Sequence, residues 1–237
     1  MADFVETGIQ GLDAILGGGI PRGHIVMISG SSGTGKTILG TEFLFRGAKK
    51  NENGLYISLS ESKEKFLKNI SGFKFYEPKF VDTNKIRVLD INEDSRLKGL
   101  ELQNVNGIIT MICSMVEETS SKRVVLDSIT SIAQAIKDDK KIRDFIFELG
   151  IRLSLLDCTI FIISEIPPQK FMYSVFGVEE FIADGLFFLS EFERKGDLIR
   201  SFQVIKMRGL NHSRNKHIMK ITSDGINLIP FFKAGVE

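Results

Sequence analysis

Short apolar runs recur along the chain, and longer stretches with helical spacing separate them. Residues 24–29 (HIVMIS), 55–60 (LYISLS), 86–91 (IRVLDI), 123–128 (RVVLDS) and 159–165 (TIFIISE) are β-prone and apolar on both faces. Unpatterned runs of this kind predict strands of a parallel sheet covered on both sides. Residues 38–50 (ILGTEFLFRGAKK), 62–71 (SKEKFLKNIS), about 100–118 and 141–156 carry helical patterns between them. Strand and helix in alternation predict an α/β fold. After Pro167 the rhythm changes. GLFFLSEF (185–192), LIRSFQVIKM (198–207), HIMKIT (217–222) and INLIP (226–230) follow closely, with charged or glycine-containing turns and no helix between them. That succession predicts an antiparallel extension of the sheet. Near the start, Ile9, Leu12, Ile15 and Leu16 form a short amphipathic piece before a glycine cluster with Pro21, which predicts a helical turn and then a loop.

The 237 residues suffice to bury a sizeable core as one domain, residues 1–237. A hydrophobic content of 43 % and a charged content of 26 % are those of an ordinary soluble protein. The net charge of +1 argues against bulk electrostatic attraction to nucleic acid or anionic membranes, and leaves room for a local basic patch. Cys113 and Cys158 lie in apolar segments without a metal-ligand spacing, which predicts core packing and a reducing compartment. No basic start followed by an apolar run is seen, nor a segment long enough to span a bilayer, so the expected location is the cytoplasm.

Chemistry concentrates in residues 30–37, GSSGTGKT. This matches GxxxxGK[ST], and it stands where such a loop must stand, between a strand and a helix. Gly30, Gly33 and Gly35 permit backbone angles closed to other residues, so successive N–H groups can face phosphate oxygens beside a positive helix N-terminus. The expected phosphate-binding set is Gly30, Ser31, Ser32, Gly33, Thr34, Gly35, Lys36 and Thr37, with Ile38 following. Lys36 would reach the β- and γ-phosphates and Thr37 would offer its hydroxyl to Mg²⁺. Asp127, ending RVVLDS, would emerge beside this loop and hold Mg²⁺ through water. Hydrolysis further needs a group acting on water and positive charge at the γ-phosphate. Glu61 is the carboxylate best placed by sequence for the water; its other reading is a helix-start acid. Lys206 and Arg208, two positions apart, would point to one side of an extended strand and supply charge, or else form a solvated basic strand end.

From residue 7 to residue 230 the chain resembles the KaiC-like branch of the RecA superfamily of ATPases. TGIQGLDAILGGGIPRG, GSSGTGKT, LYISLSES, RVVLDSIT, FGVEEFIADG and KMRGLNHSR each resemble a block of that family, in the family's order. The resemblance implies a RecA-like P-loop NTPase fold, ATP as the nucleotide, and a homo-oligomeric ring or filament with nucleotide between subunits. It implies that Lys206 and Arg208 reach the γ-phosphate across the interface, that His212 lies close to the nucleotide, and that Ser164 and Glu165 form a polar sensor of γ-phosphate loss.

Two departures matter. The family's first glutamate after the second strand is Ser60 here, followed by Glu61. A serine is no base at neutral pH without help, so either Glu61 substitutes for it or turnover is slow. Between Tyr173 and Asp184 the single hydroxyl side chain within the segment is Ser174, so clock-type autophosphorylation is not expected. Three functions follow: an ATPase whose ATP or ADP state changes subunit packing, an ATP-driven assembly switch without turnover, or a recombinase paralogue. The last would bind single-stranded DNA through Lys170 beside Phe171, Tyr173 and Phe176, residues that otherwise pack on a neighbour or line an inner loop.

Overall fold

The computed structural model describes residues 3–90, 105–136, 138–168 and 172–231. A two-stranded ribbon, β1 (Phe4–Val5) with β2 (Ile20–Pro21), brackets the short helix α1 (Leu12–Leu16). The apolar runs become β3 (Ile25–Gly30), β4 (Gly54–Ser58), β5 (Ile86–Asp90), β6 (Arg123–Asp127) and β7 (Thr159–Glu165). The closely spaced C-terminal runs become β8 (Gly185–Arg194), β9 (Asp197–Met207), β10 (His217–Thr222) and β11 (Gly225–Pro230). Together they form one nine-stranded sheet in the order β11-β10-β9-β8-β3-β7-β6-β4-β5. The half from β5 to β8 is parallel, and β8 through β11 pair antiparallel, as the change of rhythm predicts.

Helices α2 (Lys36–Lys49), α3 (Lys63–Ile70), α4 (Pro78–Asp82), α5 (Val105–Glu118), α6 (Ile129–Ile136), α7 (Asp139–Ser154) and α8 (Glu179–Ile182) join the strands. The pattern beginning near residue 100 is seen as α5 from Val105; residues 100–104 lie outside the described residues. Local chemistry fixes several starts. The Ser62 hydroxyl caps α3 by accepting from the Lys65 N–H, and the Asp138 carboxylate caps α7 by accepting from Lys140 and Lys141.

Successive strand residues enter opposite cores, which explains the unbroken apolar runs. Val26, Ile28, Val125, Phe161 and Ile163 face α2, where Phe43 stacks on Phe161 at 4.1 Å. Ile25, Val124, Leu126, Ile160 and Ile162 face α5, α6 and α7 with Leu149 and Phe145. Each fully buried side chain of this size contributes about 1.5–3 kcal/mol relative to exposure. Cys113 and Cys158 are free and buried within the second core, and burial pushes the Cys158 thiol up to about 12. Arg123, at the start of β6, is buried and stacked over Phe43, donating to Glu52, the Phe43 carbonyl and the Glu6 carbonyl. Among the described residues no helix is long and apolar enough to cross a membrane.

Candidate functional site

The central strand β3 lies between β7 and β8 and ends in the glycine-rich loop, at the carboxyl end of the parallel strands where such sheets bind ligands. Gly30 is tightly fitted: a Cβ there would stand 2.5 Å from the Leu189 carbonyl oxygen. Gly35 closes the loop with φ 98° as the N-cap of α2, in the left-handed region that favours glycine. Inside the loop, Thr34 Oγ1 and Lys36 Nζ both donate to the Ser31 carbonyl at 2.8 Å. Ser32 and Gly33 form its exposed turn, and Ile38 lies half-buried in the first turn of α2. Burial pushes the Lys36 ammonium below its ordinary range, opposed by Glu165 at 3.9 Å and by Asp127. A phosphate in the loop would relieve that desolvation by pairing the charge.

Thr37 and Asp127 meet at the end of the loop. Thr37 Oγ1 donates to Asp127 Oδ2 at 2.7 Å, although ninety positions separate the two residues. The parallel pairing of β6 with β4 places Asp127 level with Ser58, and Tyr56, two residues earlier, donates its phenol to the same Oδ2 at 2.7 Å. Burial raises that phenol well above its ordinary range, so it remains a donor. A hydroxyl and a carboxylate converging at the end of a phosphate loop are oxygen ligands of the kind a hard cation takes, and they fit Mg²⁺.

Glu61 follows β4 on the same end of the sheet. Its backbone is clamped by Ser58 Oγ, which accepts from the Glu61 N–H at 3.0 Å and donates to its carbonyl. Its carboxylate accepts from Asn69 Nδ2 at 2.7 Å and pairs with Lys65 at 3.4 Å, so it is tied to α3. Ser164 is fully buried and lies in register with Ser29; neither hydroxyl finds a partner among the described residues. Glu165 is half-exposed beside Lys36, and its N–H donates to Thr130 Oγ1 at 2.8 Å. Of the two, Glu165 is the one that meets the loop's lysine.

Lys206 and Arg208 lie elsewhere. Met207 pairs with Gly185, which lies level with Val26 at the start of β3, whereas Gly30 at the end of β3 pairs with Leu189, so the basic pair and the phosphate loop occupy opposite ends of β3, about 13 Å apart at 3.3 Å per residue. Both side chains grip one segment. Lys206 Nζ donates to the carbonyls of Glu180 and Ala183 at 2.9 and 2.7 Å, and Arg208 donates to the Phe181 carbonyl and Asp184 Oδ1 at 3.0 Å. Burial, then the neighbouring Arg208, pushes the Lys206 ammonium below its usual range. His212 lies in the loop after β9, beside the end of α1: Ser213 donates its N–H to the Ile15 carbonyl, and His212 Nδ1 stands 3.1 Å from the Ser213 carbonyl oxygen. Next to Arg208, α7 and α8 line a groove of about 520 Å³ with the exposed Phe147, Ile151 and Phe181 at its wall.

The aromatic loop is occupied by packing where it is described. Tyr173 meets Phe188 edge-on at 5.2 Å, Phe176 packs on the α7-side core, Ser174 is buried, and Lys170 and Phe171 lie outside the described residues. Glu179 pins this segment by accepting from the N–H groups of Val175, Phe176 and Val178.

Sequence reasoning missed five contributors. Arg200 on β9 donates to the Gly33 carbonyl at 3.0 Å. Met219 and Ile221 on β10 lie over Gly35, where a Cβ would meet either at 2.7 Å. Glu42 on α2 is fully buried, pairs with Arg46 and accepts from the Ile226 N–H at 2.7 Å. Tyr56 reads in sequence as one more strand residue. Strand order brings Arg200, Met219 and Ile221 to the loop, Tyr56 to Asp127 and β11 to Glu42; for Tyr56 the usable signal is its position two residues before Ser58, on the face that Asp127 shares.

Comparison with known proteins agrees with this arrangement. The family model described as "ATPase: KaiC" matches residues 5–231. A UPF0273 protein of Thermotoga maritima is 36 % identical over 238 residues, covering 97 % of both chains. The circadian clock oscillator protein KaiC of Parathermosynechococcus lividus is 30 % identical over 229 residues, spanning 95 % of this chain and 42 % of that protein. The crystal structure of the KaiC-like protein PH0186 of Pyrococcus horikoshii superposes with a TM-score of 0.86 at 31 % identity, covering 97 % of this chain and all of the other. With its phosphate loop, its Thr37–Asp127 corner and this RecA-type sheet, the chain belongs to the KaiC-like family of P-loop ATPases.

Proposed function

We propose that the protein binds Mg²⁺–ATP at residues 30–38 and hydrolyses it slowly at a contact between two copies of the chain, and that ATP or ADP in the site sets how the copies pack. The observation that carries this reading is the separation of the two halves of the chemistry. Lys36, Thr37 and Asp127 gather at one end of the sheet, while Lys206 and Arg208 hold the other, too far along β8 to meet their own phosphate loop. A second copy, docked head to tail, brings its basic pair to the first copy's γ-phosphate and completes the charge that phosphoryl transfer needs. Thr37 and Asp127 would hold Mg²⁺, which supplies neutralisation of the β- and γ-phosphate oxygens. Glu61 would orient water once its carboxylate leaves Asn69.

That last requirement favours a second reading, an ATP-driven assembly switch without turnover, because Glu61 is bonded to Asn69 and Ser60 offers no base. ATP turnover with Mg²⁺, measured against protein concentration and beside sizing in ADP and in a non-hydrolysable ATP analogue, separates the two. Turnover that rises more than linearly with concentration and is lost in Glu61→Gln supports the first; assembly with ATP and no phosphate release supports the second. Salt-sensitive binding of a labelled oligonucleotide would instead point to the recombinase reading.

A further inference from the structure

We infer that Tyr56 is a positioning residue for the metal corner, and that its phenol decides how strongly nucleotide binding depends on Mg²⁺ rather than on other divalent cations. The inference rests on the nucleotide-binding reading above and adds to it a residue outside the phosphate loop and outside the motif of Asp127.

Three observations converge. Tyr56 OH donates to Asp127 Oδ2 at 2.7 Å, and Thr37 Oγ1 donates to that same oxygen at 2.7 Å. Among the described residues both hydrogen bonds to the carboxylate therefore fall on one oxygen, which leaves Oδ1 to accept from metal-bound water. The phenol itself is fixed: Tyr56 is buried, and its ring stacks on Phe66 of α3 with centroids 4.0 Å apart and an interplanar angle of 22°. A rigid donor on a ligating carboxylate sets which way that carboxylate faces, and partners of this kind are worth about ten- to a hundred-fold in metal affinity. Mg²⁺ feels such orientation most, since it demands near-ideal octahedral geometry, whereas Ca²⁺ accepts a flexible shell. Without the phenol, Asp127 would keep the Thr37 hydroxyl alone and could swing about it.

The experiment is a metal titration of the full chain with the fluorescent analogue methylanthraniloyl-ATP, for the native protein and for Tyr56→Phe. Phenylalanine keeps the ring and its stack on Phe66 and removes the hydroxyl alone. The expected result is a rise of about ten-fold in the Mg²⁺ concentration that gives half-maximal binding. With Ca²⁺ the change should stay below about three-fold, and binding in EDTA should be unaltered. A Mg²⁺ requirement within two-fold of the native protein overturns the inference, and so does an equal loss of binding in Mg²⁺, Ca²⁺ and EDTA, which would mark a packing defect. Native protein whose analogue binding ignores Mg²⁺ altogether would overturn the nucleotide reading, and this inference with it.

Discussion

The two ends of β3 hold positive charge in opposite ways. At the phosphate-loop end, Lys36 is buried, pushed toward its neutral form, and donates to one loop carbonyl, Ser31. At the other end, Lys206 and Arg208 together satisfy three carbonyls and a carboxylate of the segment around α8. The first is a site suited to an anion: a buried amine at a helix N-terminus, with Glu165 and Asp127 as the carboxylates acting on it. The second is a fastening, and Arg208 also lines an open groove with apolar walls. A cation that is both bonded to its own chain and set beside an exposed apolar surface is suited to act on a neighbour, since its position is fixed before the neighbour arrives.

This contrast can be broken by experiment, and the effects should fall in a definite order. Arg208→Ala should lower ATP turnover by about a thousand-fold, the scale of an arginine acting on a γ-phosphate, while analogue affinity stays within about three-fold. Equal loss of both would mean that Arg208 serves the fold. Lys36→Ala should weaken nucleotide binding by about a hundred-fold, as loss of a charged hydrogen-bond donor to phosphate implies, and calorimetric titration reads it directly. Arg200→Ala removes the donor to the Gly33 carbonyl and should raise the dissociation constant by about three- to ten-fold, sharpening how far the antiparallel half supports the loop.

The smallest effect concerns Glu42. Burial raises its carboxyl above the ordinary range, against the pull of the Ile226 N–H and Arg46. A raised acid takes up a proton in the folded chain before the unfolded one, so its contribution is full below the unfolded value of 4.5 and is lost as pH rises through the folded value. Denaturant unfolding between pH 4.5 and neutrality should show a shallower loss of stability in Glu42→Gln than in the native chain. A slope unchanged by the substitution would remove Glu42 from the account.

Much of the fold was legible because its signals are local. Apolar runs such as VMI and VVL and the glycines of the loop act within a few residues of themselves. The change from parallel to antiparallel pairing could be read from the missing helices after Pro167. Lys36, Thr37 and Asp127 were legible for the same reason, each standing in a short motif at an element boundary. What sequence did not disclose depends on strand order. Nothing near Arg200, Met219 or Ile221 says that β9 and β10 end beside Gly33 and Gly35, because contact arises only when β8 pairs with β3. Tyr56 looked like core because it is core; its phenol acquires a second duty from Asp127 on the neighbouring strand. Glu61 was expected at the water and is held by Asn69, a partner eight residues away whose amide competes for the carboxylate.

The most direct test of a shared site is to mix two inactive variants. Lys36→Ala keeps Arg208 but lacks a working loop, and Arg208→Ala keeps the loop but lacks the distal charge. If the site forms between copies, an equimolar mixture pairs an intact loop with an intact arginine at roughly a quarter of its contacts. ATP turnover should then return to about a quarter of the native rate, although neither variant alone is active. A mixture no more active than its two components, beside a native protein that does turn over ATP, would contradict a site completed by a second copy.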